Sequence, residues 1–379
     1  MTLRIGLVGC GNISDIYLRN ATLFRDIRFT ACADLRHEMA EARAAQYSIA
    51  ARSVADLLAS EDVDLVLNLT VPEAHAEVSL GAIAAGKHVY VEKPLATRLA
   101  DGRAVLAAAE AKGVRVGAAP DTVLGAGVQN ARRLLNESAF GTPIFGVAAV
   151  MSHGMEDWHP NPEFFFKPGG GPVLDMGPYY LATLVTLLGP ITTVAATGQI
   201  GNVERVITTP DSPLRGRTIK VETLTTVQAL LTFASGAQVS FLASWDAWAS
   251  NMPHLELHGT GASLSLPDPN WFGGVVSVSK SGAPWEAVPT DTAVFGGGNF
   301  DTDEGRIANY RGLGIAEMAR AIAEDRVHRA NGRIALHLLA VMTAMAKSAT
   351  NATVLEIEDS CDRPAALDES EAASLLSRP

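Results

Sequence analysis

Lys93 lies in the tripeptide Glu92-Lys93-Pro94, directly after the apolar stretch His88 to Val91. An ammonium group at the carboxyl end of a parallel strand stands where such sheets bind ligands. Partial desolvation there is expected to lower its pKa toward the range of an acid–base catalyst. The ordinary alternative is a solvated lysine at a strand end. Glu92 could orient Lys93, and the Lys93–Pro94 bond is a candidate cis peptide. Upstream, Gly9-Cys10-Gly11-Asn12-Ile13-Ser14 follows another apolar run, Leu3 to Val8. Gly9 permits a tight turn, Gly11 lets backbone approach a pyrophosphate, and Ser14 is small enough for helix–strand packing. The helix that follows favours negative phosphates at its N-terminus. Asp34 closes the next apolar run, where a carboxylate accepts from ribose hydroxyls and repels a 2′-phosphate. That favours NAD over NADP, although Arg36 nearby weakens the preference.

Asn68 to His75 ends a third apolar run and opens a helix, so Thr70, Pro72 and His75 can border a nicotinamide ribose. His75 reads equally as a surface or capping histidine. The densest polar and aromatic segment is Met151 to Tyr180. His153, Asp157, Trp158 and His159 cluster there, followed by Gly169 to Gly171, which let backbone pass close to a neighbour. Asp175 and Tyr179 are four apart and are expected on one helix face, gripping a polyhydroxylated ligand beside Lys93. Trp158 reads also as a core or interface aromatic, and His153 and His159 as satisfied loop histidines. His153, Asp157 and His159 follow no familiar metal-ligand spacing, so no metal is expected. Asn299, Arg306, Tyr310 and Arg311 either close the pocket or face solvent, the latter being the ordinary outcome.

The elements that must position these groups alternate along residues 3–120. Strands are expected at Leu3–Val8, Arg28–Asp34, Val63–Thr70, His88–Glu92 and Val114–Ala118. Helices are expected at Ile13–Phe24, Arg36–Tyr47, Pro72–Ala85 and Thr97–Lys112. Apolar strands separated by helices of this length form a doubly wound parallel sheet, an α/β Rossmann-type domain over 1–120. Beyond it the pattern changes to alternating strands: Ile144–Met151, Thr192–Gln199, Val221–Phe233, Gln238–Trp245 and His254–Leu257. Helices at Gly127–Glu137, Val173–Leu188, Gly312–Glu324 and Gly332–Lys347 accompany them. Residues 121–379 therefore read as an α+β domain with an antiparallel sheet, and the last dozen residues as peripheral.

Bulk properties narrow the partners. The 379 residues suffice for two domains, and their net charge of −11 argues against nucleic acid and anionic membranes. No run of eighteen apolar residues suggests a membrane span. The N-terminal apolar stretch is short, glycine-interrupted and without a cleavage site, unlike a signal peptide. Cys10, Cys32 and Cys361 are scattered, which suits a reducing, cytoplasmic setting.

Taken in order, GCGNIS at 9–14, Asp34, VPEAH at 71–75, EKP at 92–94 and GGGPVLDMG at 169–177 resemble the Gfo/Idh/MocA oxidoreductases. The resemblance spans nearly the whole chain. It implies a C-terminal domain on a large, open, mainly antiparallel sheet, with homodimers or homotetramers formed through that sheet. It implies NAD(H) or NADP(H), and sugar, cyclitol or related polyol substrates. By the same resemblance Lys93 is the catalytic lysine and Asp175 a substrate-binding carboxylate. Many members carry His four residues after that Asp, where this chain has Tyr179. A phenol is a weaker base than an imidazole at neutral pH. Lys93 then acts alone, or with Tyr179 as a hydrogen-bond donor, or His153 or His159 supplies an imidazole. The expected activity is hydride transfer between nicotinamide and a carbinol. A non-catalytic NAD or sugar sensor and a redox-assisted glycoside-cleaving enzyme are the alternatives.

Overall fold

The computed structural model describes residues 2–210, 212–302 and 305–377. The first half runs β1 (Leu3–Val8), α1 (Ser14–Asn20), β2 (Ile27–Ala33), α2 (His37–Tyr47), β3 (Ala50–Arg52), α3 (Val54–Ala59), β4 (Leu65–Asn68), α4 (His75–Ala84), β5 (His88–Val91), α5 (Leu99–Lys112) and β6 (Val116–Ala118). All strand pairs here are parallel, in the order β3-β2-β1-β4-β5-β6. That is the doubly wound dinucleotide-binding order, with its reversal point at β1 and β4. Their side chains are apolar in unbroken runs because both faces are covered. Gly113, at φ +66°, ends α5 in the left-handed conformation. The short β3 and α3 went unanticipated. Their signal was Ser53, whose hydroxyl accepts from the Asp56 amide at 3.1 Å and caps α3.

The second half contains α6 (Ala126–Asn136), β7 (Pro143–Met151), α7 (Pro172–Asp175), α8 (Gly177–Leu188), β8 (Ile191–Gln199), β9 (Glu204–Val206) and β10 (Thr218–Lys220). Then come β11 (Thr226–Phe233), β12 (Gln238–Ser244), β13 (Leu255–Gly259), β14 (Ala262–Leu266), β15 (Val276–Lys280), β16 (Glu286–Val288), β17 (Phe300–Thr302) and β18 (Gly305–Ile307). The chain closes with α9 (Leu313–Ala323), α10 (Gly332–Asn351), β19 (Leu355–Glu356) and α11 (Glu369–Leu375). Its main sheet has the order β16-β15-β14-β13-β7-β12-β11-β8-β19. β7 and β12 pair in parallel and the other neighbours run antiparallel. One face buries alternate residues such as Val227, Ala229 and Leu231 of β11 and Val239 and Phe241 of β12. The other face is open, with Leu230 and Phe145 exposed on it. Helix α10 packs on α5 of the first half and on β8 of the second, so it joins the two.

Three expectations need correction. The helix expected over 173–188 breaks at Met176. Pro178 has no N–H to give the Leu174 carbonyl and its ring crowds that carbonyl, so α7 ends and α8 begins anew with Pro178 in its first turn. Asp175 and Tyr179 therefore sit on either side of a break, not on one continuous face. The strand expected from Val221 starts only at Thr226, because Val221 and Glu222 donate instead to the Val203 and Phe166 carbonyls, at 2.9 and 2.8 Å. The C-terminal segment is not peripheral. Ala372 and Leu375 of α11 are buried, and the Leu375 carbonyl accepts from the Arg25 amide at 3.0 Å, tying the tail to the first half.

Candidate active site

The glycine turn follows β1 as its residues dictate. Gly9 has φ +101°, and a Cβ there would lie 2.6 Å from the Leu69 carbonyl, so no other residue fits without strain. Around a Cβ built on Gly11 the space is empty to 4 Å, which leaves its backbone open to a ligand. Ser14 is buried and donates to the Gly11 carbonyl at 2.6 Å. Asp34 braces the turn: one carboxylate oxygen accepts from the Cys10 amide at 2.8 Å, the other from the Arg36 amide at 2.9 Å. A carboxylate offers about four lone-pair sites, so Asp34 retains capacity for ribose hydroxyls. Asn12 and Arg36 are exposed beside the turn. Ile13, Leu35 and Val71 expose apolar surface around it, walls suited to a flat ring. Open glycine backbone, carboxylate and apolar walls together fit a dinucleotide.

Behind β4 a buried network fixes the next segment. The Thr70 hydroxyl donates to Asn68 at 2.6 Å, and the Asn68 amide donates to the His75 carbonyl at 2.9 Å and the Ser79 hydroxyl at 3.1 Å. Pro72 opens the 3₁₀ turn that leads into α4. His75 is buried, not a surface histidine. Its Nδ1 lies 2.7 Å from the Pro94 carbonyl and its Nε2 3.0 Å from the Thr70 carbonyl. Burial pushes its pKa down, so the neutral ring donates one of these bonds. His75 thus ties the chain after Lys93 to the end of β4.

Glu92 is held at both oxygens, by the Tyr17 hydroxyl of α1 at 2.8 Å and by the Lys93 amide at 2.9 Å. The Lys93–Pro94 bond is cis. From this turn the Lys93 ammonium reaches across to the second half. It donates to the Asp175 carboxylate at 2.7 Å and to the Asp175 carbonyl at 2.8 Å, with its side chain 17% exposed. Its Nζ lies 5.3 Å from the centre of the Tyr179 ring. Desolvation does push the Lys93 pKa down, as expected. Asp175, Tyr179 and Glu92 outweigh it, and the net shift is upward. Lys93 is therefore an ammonium throughout the neutral range, which corrects the expectation of a lowered pKa.

The glycine loop ahead of α7 covers this contact from the other side. Gly169 and Gly171 have φ of +92° and +94°. A Cβ on Gly169 would sit 3.8 Å from Glu73 and 3.9 Å from Thr97, so the loop runs close over the first half.

Tyr179 is buried, and it is among the groups that favour the charge of Arg311. Arg311 is itself only 7% exposed. Burial works against its charge, while Tyr179, Tyr17 and Glu92 favour it and shift its pKa upward. Its donors reach Asn309 Oδ1 and Asn270 Oδ1, both at 2.9 Å, and Trp271 lies 5.6 Å away. Of the two placements expected for Arg311, closing the pocket or facing solvent, the structure excludes the solvent one. The signal was a charged residue set between Tyr310 and the Gly-Leu-Gly that starts α9. Asn299, on the same stretch, accepts from the Asn309 amide at 2.7 Å, and Tyr310 donates to the Gly297 carbonyl at 2.9 Å. Arg306 stays exposed. Asp121, also unanticipated, accepts from the Gly312 and Gly314 amides at 2.9 and 3.0 Å. Its burial pushes its pKa up to about 6.

The aromatic loop after β7 is more dispersed. His159 lies within the field of Asp175, and burial lowers its pKa. Its Nδ1 accepts from the Asn161 amide at 3.1 Å. Trp158 stands 60% exposed, edge-on to His159 at 5.4 Å. His153 is held elsewhere, stacked on Trp248 at 3.5 Å and facing Glu156. The buried ion pairs of Arg205 with Glu156 and Asp246 brace this loop from below. Among the described residues, no group of three or more His, Cys, Asp or Glu could hold a metal ion, and no helix is long and apolar enough to cross a membrane. A cavity of about 370 Å³ lies at the opposite end of the parallel sheet, lined by Leu3, Lys87, His88 and Ile322, and touches none of these groups.

Comparison with known proteins agrees with this geometry. Residues 3–119 match the model of an oxidoreductase family with an NAD-binding Rossmann fold. Residues 128–265 match the Gfo/Idh/MocA C-terminal domain. The chain belongs to the Gfo/Idh/MocA oxidoreductases. Its relatives in this family include inositol 2-dehydrogenase of Salmonella typhimurium, 36% identical over 120 residues, or 31% of this chain and 36% of the relative. Another is 1,5-anhydro-D-fructose reductase of Ensifer adhaerens, 32% identical over 180 residues, or 46% of this chain and 53% of the relative. The matched stretches thus span about a third to a half of these curated relatives. Among solved structures, levoglucosan dehydrogenase in complex with NADH and levoglucosan aligns with a TM-score of 0.78 at 21% identity, covering 94% of this chain and 100% of that one. An NAD-binding oxidoreductase from Klebsiella pneumoniae aligns with a TM-score of 0.79 at 23% identity, over 94% and 99% of the two chains. At these identities the structural likeness speaks for the fold.

Proposed function

We propose that this family member transfers hydride between a nicotinamide cofactor, NAD before NADP, and a carbinol of a sugar, cyclitol or related polyol. The observation that carries this reading is the Lys93–Asp175 contact at 2.7 Å, made across the two halves beside the strand ends that face the glycine turn. Bound nicotinamide supplies or accepts the hydride at its ring carbon. The Lys93 ammonium gives its proton to the oxygen of the reacting carbon, or holds that oxygen's negative charge. Asp175 keeps Lys93 charged and offers its carboxylate to a neighbouring hydroxyl. Tyr179 supplies a second polar hydrogen, and the buried Tyr17–Glu92 bond keeps the Lys93 turn in register with α1. Trp158 and His159 border the mouth and suit the apolar face of a sugar ring. His153, turned to Glu156 and Trp248, supports the loop.

The names of the relatives agree with such substrates, which include an inositol and an anhydro sugar. Residues 1–120 hold the cofactor in this reading, and 121–379 hold the substrate and the oligomer contact. Exposed Leu230 and Phe145 on the open sheet face suit a homodimer or homotetramer. The free cysteines accord with a cytoplasmic setting.

The test is a panel of cyclitols, sugars and anhydro sugars with NAD and with NADP, followed at the absorbance of reduced nicotinamide. Turnover with at least one polyol is expected, abolished in Lys93→Met with cofactor binding retained. Cofactor binding without turnover on any member would favour a sensor. Release of aglycone from glycosides without net NADH would favour redox-assisted cleavage.

A further inference from the structure

We propose that Asn68 fixes the Thr70 hydroxyl as a pure hydrogen-bond acceptor toward the cofactor, so that a hydroxyl of the nicotinamide-side ribose is bound through its own proton. This rests on the nicotinamide cofactor of the reading above but not on its hydride step. It gives a positioning role to Asn68, a residue outside the candidate site.

The place of Thr70 follows from the fold. The crevice of a doubly wound sheet opens at the carboxyl ends of the strands that flank its reversal point, here β1 and β4. Leu69 and Thr70 leave β4 hard against the glycine turn. A Cβ on Gly9 would lie 2.6 Å from the Leu69 carbonyl and 2.8 Å from the Thr70 amide nitrogen. On its other side, the Thr70 carbonyl lies 3.0 Å from His75 Nε2, and His75 Nδ1 lies 2.7 Å from the Pro94 carbonyl beside Lys93. Thr70 therefore stands between the turn suited to a pyrophosphate and the turn that carries Lys93. The part of a dinucleotide that spans those two points is the ribose joining pyrophosphate to nicotinamide. Thr70 is half-buried, so one side of it stays open to that ribose.

The polarity of its hydroxyl is dictated from behind. Asn68 is fully buried, and its hydrogen-bonding capacity is committed. Its amide nitrogen donates to the His75 carbonyl at 2.9 Å and the Ser79 hydroxyl oxygen at 3.1 Å. A carbonyl only accepts, so the Asn68 nitrogen must face α4 and its oxygen must face Thr70. That oxygen accepts from the Thr70 amide at 3.3 Å and from the Thr70 hydroxyl at 2.6 Å. An amide oxygen has no proton to return, so the Thr70 proton is spent on Asn68 and only lone pairs remain toward the cleft. The Val71 carbonyl, at 3.5 Å, is too far to compete for that proton. Asp34 is acceptor-only by its charge, and it offers the same polarity to the ribose at the adenine end. Both sugars of the cofactor then meet acceptors.

The experiment is a cycle between protein variants and cofactor analogues, read as Kd by titration calorimetry on the full chain without substrate. The probes are NAD and two analogues in which fluorine replaces the 2′- or the 3′-hydroxyl of the nicotinamide ribose. Fluorine keeps the size and lone pairs of the hydroxyl but carries no proton. Wild type is expected to bind one of the two analogues about tenfold more weakly than NAD, the worth of one hydrogen bond. In Thr70→Val that penalty should fall below about twofold, while Thr70→Ser should retain it. Asn68→Leu frees the Thr70 proton to turn toward the fluorine, so its penalty should also fall below about twofold. Loss of packing alone would weaken NAD and the analogues alike and leave the penalty in place. Equal binding of NAD and both analogues by wild type would overturn the inference, as would an undiminished penalty in Thr70→Val or Asn68→Leu. Should Asn68→Leu not fold, the Thr70 pair decides. A wild type that binds neither NAD nor NADP sinks the cofactor reading and this inference with it. An enzyme that binds NAD but is inert toward every polyol sinks only the hydride step.

Discussion

Replacing Asp175 by Asn removes the group that keeps Lys93 charged while leaving a side chain of the same size. The pair is close, at 2.7 Å, and its two side chains are 17% and 22% exposed. Breaking a buried ion pair costs about 3–5 kcal/mol, and the residual exposure places this one near the lower end, about 3 kcal/mol. At about 1.4 kcal/mol per pKa unit, that is a fall of roughly two units in the Lys93 pKa. The sign follows from the balance around the amine. Desolvation already pushes Lys93 down, and Asp175 is the largest influence pushing it up. Without Asp175 the ammonium is lost at a lower pH. In carbonyl reduction the proton donor is the ammonium, so the variant should lose kcat at roughly two pH units below the wild type. The assay is kcat for the reductive direction from pH 6 to 10.5, at saturating substrate to separate the expected rise in KM: the wild type should stay flat across this range, and Asp175→Asn should begin to fall toward its alkaline end. Lys93→Met should show a low rate without this pH dependence. Superimposable profiles for wild type and Asp175→Asn would refute the claim that Asp175 holds Lys93 in its charged form.

Asp34→Ser should raise KM for NAD about tenfold and narrow the preference over NADP, because it removes both the ribose acceptor and the brace on the Cys10 amide. Steady-state comparison of the two cofactors checks it. Gly9→Ala should abolish cofactor binding and lower the melting temperature, since φ +101° and a 2.6 Å approach to the Leu69 carbonyl both penalise a Cβ. Asp121→Asn tests pH-linked stability. Asp121 is raised from 3.8 to about 6, so the folded state binds this proton more tightly than the unfolded chain. Its favourable contribution is full below pH 4 and lost as pH rises through 6, a change of about 3 kcal/mol. The difference in unfolding free energy between variant and wild type should therefore grow in the variant's favour by that order between pH 4 and 7, measured by urea titration.

The parallel half was legible because each of its signals is local. Apolar runs at β1, β4 and β5 stand between helices, and Gly9, Asp34, Pro72 and Gly113 each mark an element end through their own backbone or hydrogen-bonding chemistry. The site divides along the same line. Lys93 and Asp175 lie in short motifs, and the fold brings them into contact. The break at Met176 was readable from Pro178, but the four-residue spacing of Asp175 and Tyr179 drew attention to helix periodicity instead. His75 shows the opposite limit. Nothing in VPEAH says that its two ring nitrogens meet the carbonyls of Thr70 and Pro94, because Pro94 arrives from the next strand. The β9–β10 hairpin and the small β17–β18 pair were missed because three-residue strands carry too few alternations to register.

Arg311 marks where the chemistry of the site departs from its motifs. An arginine beside glycines ordinarily signals a solvated loop. Here the loop is drawn inward by Asp121, which gives up exposure to satisfy two amides at the start of α9. The result sets two permanently charged donors into the interior of the chain, the Lys93 ammonium beside Asp175 and the Tyr179 ring and the Arg311 guanidinium beside Asn270 and Asn309. Such a site is poor at taking a proton from a neutral alcohol at neutral pH, because the amine that would receive it is already charged. It is well suited to an oxygen that gains negative charge as hydride arrives at the adjacent carbon. The electrostatics of the cleft therefore suit the reductive direction of the proposed reaction, and kcat for oxidation should rise toward alkaline pH.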